Sequence, residues 1–220
     1  MTNSPSLGLP DAAFAKADGR EDALFYAQPR FVTHIDARAV AAVTDLYRDI
    51  FEPGGSLLDL MSSCVSHLPE EVRYAEVVGH GMNAAELAAN PRLARWFVQD
   101  LNRDQLLPLP DAAFDGVAIC VSIQYLQRPL EVLAEVARVL RPGAPVVVTF
   151  SNRCFPTKAV AIWTRLHADQ QAELVELYLR SAGLAAVEAR EVLRSPGDPL
   201  RAVIGRAPQT ALAAVISTST

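Results

Sequence analysis

The sequence predicts an α/β fold: a doubly wound, seven-stranded, mostly parallel sheet that ends in a C-terminal antiparallel strand. Short apolar runs alternate with helical periodicity over most of the 220 residues, as in a parallel sheet covered by helices. Half of the residues are hydrophobic, which suffices for one complete core. The loop over residues 195–199 is too short for a parallel crossover, so we expect the last two strands to pair antiparallel.

The first half of the chain is predicted to contain two helices and three strands. Asp36 is a suitable N-cap for the first helix, whose apolar residues recur on one face. Asn83 is a suitable N-cap for the second helix, with Glu86 three residues later as its capping-box partner. In order, we expect a helix over 36–50, strands over 56–60 and 76–80, a helix over 84–89 and a strand over 96–99.

The second half is predicted to add four strands and three helices. The run 114–121 is largely apolar, as in a strand that is covered on both faces. The helix over 129–140 is amphipathic, and the sequence Arg-Pro-Gly at 141–143 ends it. In order, we expect a strand over 114–121, a helix over 129–140, a strand over 145–150, helices over 157–166 and 169–182, and closing strands over 185–191 and 200–205.

Composition sets the domain organisation and the class of protein. Residues 1–19 are predicted to be a flexible leader, residues 20–207 a single domain and residues 208–220 a mobile tail. The net charge of −5 offers no basic surface to nucleic acid. Three cysteines, no signal peptide and no membrane-spanning apolar run lead us to expect a cytoplasmic protein without membrane contact. No side chains have metal-ligand spacing, so no metal is expected.

The segment 54–69 is the stretch around which the rest of the chain is organised. It is predicted to be a buried strand that ends in an acid, Asp59, followed by a turn of small residues. Ligands of open parallel sheets bind in the crevice beyond the carboxyl ends of the strands. An acid followed by a turn that the ligand can approach closely suits a nucleotide-like ligand, although this turn lacks the usual glycines.

Four sequence features together resemble those of a known superfamily. They are Leu-Leu-Asp-Leu at 57–60, Phe-Asp-Gly-Val at 114–117, Glu-Val-Ala-Arg-Val-Leu-Arg-Pro-Gly at 135–143 and the terminal antiparallel pair. From about residue 36 to residue 205, the chain resembles class I S-adenosylmethionine-dependent methyltransferases of the small-molecule type. Its turn resembles a divergent subfamily of methyltransferase-like proteins with Leu-Asp-Leu-Met-Ser-Ser-x-Val-Ser-His-Leu-Pro.

The resemblance implies S-adenosylmethionine as cofactor and places its contacts on particular residues. Asp59 matches the acid after the first strand, and Asp100 matches the usual adenine contact. Gly81 stands where the family has the acid that binds the ribose hydroxyls, and Asn83 is the nearest polar replacement. The cofactor-binding residues implied are Tyr26, Arg30, Asp59, Met61, Ser62, Ser63, Gly81, Met82, Asn83, Asp100, Leu101, Asn102, Val121 and Ser122.

Three residues are candidates for catalysis, each with a structural alternative. His67 follows the central turn, where it could face the ligand or could begin a helix and hydrogen-bond the serines. His34 lies in an aromatic segment that this family often folds over the cofactor, but that segment could be a packed arm. Tyr125 follows the fourth strand, at the rim where family members present groups to the methyl acceptor, but it could lie in a plain loop.

The leading interpretation is a methyltransferase that acts on an unidentified small molecule, as a monomer or homodimer. The alternative is a catalytically inactive binding or scaffold protein with the same fold. Met61, Ser63 and Val65 in place of glycines, together with Gly81, favour the alternative, whereas the retained Asp59 and other polar residues favour the enzyme. A dinucleotide-binding protein is disfavoured because the sequence GxGxxG is absent.

Overall fold

A computed structural model describes residues 7–209, and the predicted sheet is confirmed in it. The strand order is β3-β2-β1-β4-β5-β7-β6. Strands β1 to β5 run parallel, whereas β7 is antiparallel to both β5 and β6. The strands are β1 (Ser56–Leu60), β2 (Glu76–Gly81), β3 (Arg95–Val98), β4 (Gly116–Cys120), β5 (Pro145–Ser151), β6 (Ala185–Leu193) and β7 (Leu200–Arg206).

Four of the five α-helices begin and end close to the predicted positions. The carboxylate of Asp36 accepts the backbone N–H of Ala39 at 2.9 Å, which is the N-cap bond expected there. The short first helix was not predicted. The helices are α1 (Asp22–Tyr26), α2 (Ala37–Ile50), α3 (Ala84–Ala89), α4 (Pro129–Val139) and α5 (Ala168–Ser181).

Both faces of the sheet are covered by helices. Leu58 and Leu60 of β1 pack in one apolar cluster with α4 and α5, whereas Leu57 packs in a second cluster with α2. This division follows from the alternation of side chains along a strand. Within residues 7–209, no helix combines the length and the apolar character that crossing a bilayer would require.

The helix predicted over residues 157–166 is wrong. Only a single 3-10 turn forms there, at Trp163–Arg165. The backbone N–H groups of Val160, Ala161 and Ile162 donate to carbonyls of Gln124, Ala15 and Ala13. Because these donors are bonded to distant parts of the chain, they are not available for the i to i−4 bonds of an α-helix.

The described part of the predicted leader, residues 7–19, packs on the domain. Lys16 forms a backbone bridge with Val160, and the side chains of Leu9 and Phe14 contact the core. The domain boundary expected at residue 20 therefore does not separate these residues from the core. Residues 1–6 of the leader and 210–220 of the predicted tail lie outside the described residues.

Candidate functional site

A cavity of about 240 Å³ lies beyond the carboxyl ends of β1, β2 and β4. The chain leaves β1 toward β2 on one side and reaches β4 on the other, so this is the point where the strand order reverses. Crevices at such a point are the usual ligand sites of open α/β sheets. The lining residues come from segments 22–34, 59–67, 80–86, 99–102, 120–126 and 153–155.

Four non-glycine residues that line the cavity have left-handed backbone conformations. Their φ angles are 64° for His34, 61° for Met61, 54° for His67 and 50° for Val121. Such a conformation costs about 1–3 kcal/mol for a residue with a side chain and persists only where the surroundings impose it. Strain of this kind is concentrated at functional sites, and here it is concentrated around one cavity.

The central turn closes on the end of β2. The backbone N–H of Met61 donates to Nδ1 of His80 at 3.1 Å, and that of Ser62 donates to the His80 carbonyl at 2.6 Å. Met61 keeps the left-handed φ that favours glycine. The turn therefore has a glycine-like backbone at Met61 although the glycine itself is absent.

His80 holds the ends of three strands together. Its side chain is 1% exposed, with Nδ1 facing the Met61 N–H and Nε2 lying 3.0 Å from the carbonyl of Gln99. Burial lowers the pKa of His80 to about 4, so the ring is neutral at pH 7. A neutral ring that accepts at Nδ1 carries its proton on Nε2 and donates it to Gln99.

Asp59 is a buried carboxyl group at the base of the cavity. It is 4% exposed, and the Ser62 hydroxyl donates to its Oδ2 at 2.5 Å. Burial raises the pKa of Asp59 to about 7, while hydrogen bonds from Ser62 and Ser66 oppose this shift. Near pH 7 the group is therefore divided between its charged and neutral forms.

Gly81, at the end of β2, has no room for a side chain. A Cβ added there would lie 2.5 Å from the Ser62 carbonyl oxygen. Asn83 lines the cavity, but its amide nitrogen donates to the carbonyls of Tyr26 and Ala27, at 2.8 and 3.1 Å. Its amide oxygen accepts the first backbone N–H groups of α3. The side chain of Asn83 is thus used to cap α3 and to hold the segment above the cavity.

Asp100 and Asn102 follow β3 at the edge of the cavity. Oδ1 of Asp100 accepts the Asn102 N–H at 2.9 Å. The Asn102 amide donates to Asp22 at 2.8 Å and to the Tyr125 carbonyl at 3.0 Å. Leu101 is 3% exposed and belongs to the core. Asn102 and Leu101 therefore support the site, while Oδ2 of Asp100 has no hydrogen bond within residues 7–209.

Segment 16–35, which we call the lid, lines one side of the cavity and is anchored by a buried ionic cluster. Lys158 is fully buried, lies 3.2 Å from Asp22 and donates to the Arg20 carbonyl at 2.8 Å. Lys16 pairs with the same Asp22 carboxylate. Two lysines on one carboxylate hold its pKa below its ordinary value, against the opposing effect of burial. The cluster fixes the lid to the body of the domain.

The aromatic part of the lid stacks on a guanidinium group. The Arg30 guanidinium lies 4.6 Å from the ring centroid of Phe25 and 5.3 Å from that of Phe155. It also donates to the Phe25 carbonyl at 3.0 Å. Tyr26 lines the cavity beside it, and burial raises the pKa of this phenol.

The three candidate catalytic residues all line the cavity. His67 is 8% exposed, burial lowers its pKa to about 4, and its buried Nδ1 has no partner within residues 7–209. Loss of solvation lowers the pKa of His34, which the nearby Glu86 opposes. Burial raises the pKa of Tyr125 to about 12, and its hydroxyl oxygen accepts the Phe155 N–H at 2.9 Å. At pH 7 His67 is a neutral imidazole and Tyr125 a neutral phenol.

Comparisons with known proteins agree with this fold. Residues 60–148, less than half of the chain, match a family model described as a methyltransferase domain. A structure of an S-adenosylmethionine-dependent methyltransferase from Archaeoglobus fulgidus has a TM-score of 0.58 at 15% identity, over 78% of this chain and 94% of that one. The chain has the class I methyltransferase fold.

Two further solved structures have a similar fold. Phosphoethanolamine N-methyltransferase 2 of Haemonchus contortus, in complex with S-adenosyl-L-methionine, has a TM-score of 0.57 at 13% identity, over 79% of this chain and 53% of that one. The [4+2]-cyclase SpnF has a TM-score of 0.58 at 17% identity, over 76% and 81%. No curated protein matches the chain. The predicted methyltransferase fold is confirmed.

All the predicted site residues of this methyltransferase-fold protein line the one cavity. The structure therefore brings these residues together, while their roles in binding and catalysis remain predictions. The helix-start alternative for His67 is not observed, because no helix begins between His67 and β2, which is the next element. Ser122 adds a buried hydroxyl without a partner in the described chain. Unpartnered polar groups at Ser122 and His67 fit a polar ligand.

Several polar residues that line the cavity were not among the predicted site residues: Asp22, Thr33, His80, Glu86, Gln99 and Arg153. Among these, Glu86 was predicted to have a different role, as a capping-box partner. Glu86 of α3 is 7% exposed and lines the cavity. Its Oε1 accepts the backbone N–H of Arg30 at 2.6 Å, instead of that of Asn83 as the predicted capping box requires. The sequence feature that could have identified Glu86 as a site residue is its position, five residues after β2 and on the inward side of a short helix.

Proposed function

We propose that this protein is an S-adenosylmethionine-dependent methyltransferase that acts on a small molecule in the cytoplasm, as a monomer or homodimer. The observation that supports this most is the convergence of every cofactor position implied by the family resemblance on one cavity at the reversal of strand order. Asp59 and Asp100 are retained there, and the turn between β1 and β2 has a glycine-like backbone at Met61.

Each part of the cofactor would contact residues from a different part of the cavity. Asp100 would meet the adenine amino group with its open oxygen, and the Met61–Ser63 turn would lie beside the methionine portion. The lid residues Tyr26 and Arg30 would cover the ligand. When bound, S-adenosylmethionine supplies an electrophilic methyl group, and the protein mainly has to align the acceptor with it.

A proton acceptor is needed only where the methylated atom must lose a proton. His67 is neutral at pH 7 and has an unpartnered buried Nδ1, and His34 of the lid lines the same cavity. We assign this role to these histidines. Tyr125, with its raised pKa, would instead donate a hydrogen bond to the acceptor.

The second candidate is a binding or scaffold protein without methyltransferase activity. The side chains of Met61 and Ser63 line the cavity where the family has glycines, and this favours a changed ligand position. The neighbour SpnF is named as a cyclase, so this fold is compatible with other chemistry.

Calorimetric titration with S-adenosylmethionine and S-adenosylhomocysteine tests the proposal. We expect micromolar binding that Asp100→Ala weakens by about one to two orders of magnitude, since a hydrogen bond to a charged group contributes about 1.5–3 kcal/mol. No heat and no thermal shift at millimolar ligand would overturn the cofactor assignment and leave the scaffold candidate.

A further inference from the structure

The second strand of this sheet ends without an acid, and the structure gives the reason. The turn after β1 donates to the His80 carbonyl, which brings the Ser62 carbonyl against Gly81. A side chain at residue 81 would overlap that oxygen, at 2.5 Å from Cβ. A carboxylate on this side of the cavity must therefore come from another element.

Most other polar groups on that side are already bonded within the chain. The Asn83 amide is fully used by the lid and by α3. The Asp22 carboxylate is held by Lys16, Lys158 and Asn102. Asp59 is buried behind the Ser62 hydroxyl. Asn83 and Asp22 therefore have no oxygen free to accept from a ligand, and Asp59 is only partly ionised near pH 7.

Glu86 has only one of its two oxygens occupied. Asp100 also has an open oxygen, but it follows β3, whereas Glu86 lies next to the end of β2. The side chain is 7% exposed, lines the cavity and uses Oε1 for the Arg30 N–H. Within residues 7–209, Oε2 forms no hydrogen bond or ion pair. Glu86 follows Gly81 on the first turn of α3, so it stands beside the end of β2. A carboxylate oxygen held in place by its partner and open to a cavity is a ready acceptor for hydroxyl groups.

We propose that Glu86 binds the vicinal hydroxyls of the ligand's ribose, so that helix α3 supplies the carboxylate that β2 cannot. The inference rests on the proposed function, because it assumes a ligand of the adenosine class. It assigns a chemical specificity to this side of the cavity: ribonucleosides with both hydroxyls are accepted, and dideoxy analogues lose the contact.

The bond from Arg30 to Glu86 also connects this recognition to the lid. The same carboxylate that would accept the ribose hydroxyls holds the lid backbone through Oε1. Glu86→Gln preserves an oxygen for the Arg30 N–H and nearly the same shape, but it removes the charge. This substitution therefore separates ligand recognition from support of the lid.

The test compares variants and ligands in parallel. Wild type, Glu86→Gln and the control Glu76→Gln are titrated with S-adenosylhomocysteine, adenosine and 2′,3′-dideoxyadenosine, and their unfolding temperatures are measured. Glu76 is a matched control because its carboxylate lies at the opposite end of β2, paired with Arg95.

We expect Glu86→Gln to weaken the binding of S-adenosylhomocysteine and of adenosine about ten- to a hundredfold, because a charge-assisted hydrogen bond is lost. Dideoxyadenosine should bind wild type and Glu86→Gln equally, and Glu76→Gln should match wild type throughout. Equal binding of adenosine by wild type and Glu86→Gln would overturn the proposal, as would equal weakening of adenosine and dideoxyadenosine.

Wild type alone provides a second readout should Glu86→Gln fail to fold. It must bind adenosine more tightly than dideoxyadenosine, and the absence of that preference overturns the ribose assignment. If wild type binds S-adenosylhomocysteine but does not prefer adenosine to dideoxyadenosine, only the ribose-binding role of Glu86 is rejected. If it binds none of the three ligands, the proposed function fails as well.

Discussion

At Gly81 and Asp59, the charge that is present cannot be read from the type of residue alone. Gly81 lacks the family's acid because a carbonyl occupies the space that the acid would need. Asp59 retains the family's acid, but burial makes that acid only partly ionised near pH 7. At the scale of single residues, the space around a position decides whether an acid fits there. The solvation of the acid then decides whether it is ionised.

Restoring the acid at residue 81 should harm the protein. Gly81→Asp places Cβ against the Ser62 carbonyl, so we expect a loss of about 3 kcal/mol of unfolding free energy and an unfolding temperature lower by roughly 6–12 °C. Thermal unfolding followed by circular dichroism measures this. The control Gly19→Asp, at a site with nothing within 4 Å, should be nearly neutral. A Gly81→Asp variant as stable as wild type would contradict the packing of this turn.

Asp59 should make stability depend on pH in a defined direction. Its pKa is raised from 3.8 to about 7 in the folded state, so the folded protein binds more protons than the unfolded chain between these values. Its contribution to stability is therefore complete below pH 4 and is lost as the pH rises through 7. Asp59→Asn lacks this loss, and its stability relative to wild type should increase between pH 5 and pH 8 by a few kcal/mol at most.

Urea unfolding at pH 5 and pH 8 measures the relative stability of Asp59→Asn. Asp11→Asn, at an exposed position, is the control and should show no comparable change. If the difference in unfolding free energy between Asp59→Asn and wild type is the same at pH 5 and pH 8, burial does not raise the pKa of Asp59.

At the scale of elements, the lid and the strand ends are held by different kinds of bond. His80 joins β1, β2 and β3 through neutral hydrogen bonds, whereas the buried lysine cluster holds the lid through charge. Removing one partner of a buried ion pair leaves an uncompensated charge, which is far more costly than losing an exposed pair. The lid therefore depends strongly on a few residues.

Lys158→Met should loosen the lid more than it disturbs the sheet. It removes the buried cation beside Asp22, and we expect a loss of about 3 kcal/mol, with faster amide exchange confined to residues 16–35. Hydrogen exchange read by mass spectrometry measures this. Arg180→Met, which breaks an exposed pair with Glu176, is the control and should cost less than about 1 kcal/mol. Equal exchange of the lid in wild type and Lys158→Met would show that the cluster does not anchor it.

At the scale of the whole molecule, a seven-stranded sheet places residues from six separate segments around one cavity. The parallel strands β1, β2 and β4 end at the same edge, so the turns that follow them meet there. The strain at His34, Met61, His67 and Val121 is concentrated at this edge and is balanced by the buried core beneath it. Binding of a ligand should therefore stabilise the molecule as a unit.

Ligand binding should raise the unfolding temperature of the whole protein. A ligand present at one hundred times its dissociation constant adds about 2.7 kcal/mol, or roughly 5–11 °C for a chain of this size. We expect this shift with S-adenosylhomocysteine and no shift with NAD at the same concentration, measured by differential scanning fluorimetry. A shift with NAD alone would instead indicate a dinucleotide-binding protein.

The sequence was sufficient wherever the controlling interactions are local. The N-cap at Asp36, the buried runs of the strands and the short loop before β7 each depend on residues within a few positions, and all were predicted correctly. Segment 157–166 was predicted incorrectly because its backbone donors bond to residues 13, 15 and 124. Glu86 was assigned to a cap for the same reason, since its partner, Arg30, lies 56 residues away.

The sequence by itself therefore determined the α/β class and the strand directions, and with them which turns meet at the carboxyl edge of the sheet. Periodicity, capping and loop length are encoded in neighbouring residues, and strand direction then places the turns. Only the tertiary structure decided which residues at that edge keep an open polar atom. That property depends on contacts between distant segments: the Ser62 carbonyl against Gly81, the lid carbonyls on Asn83 and the free Oε2 of Glu86.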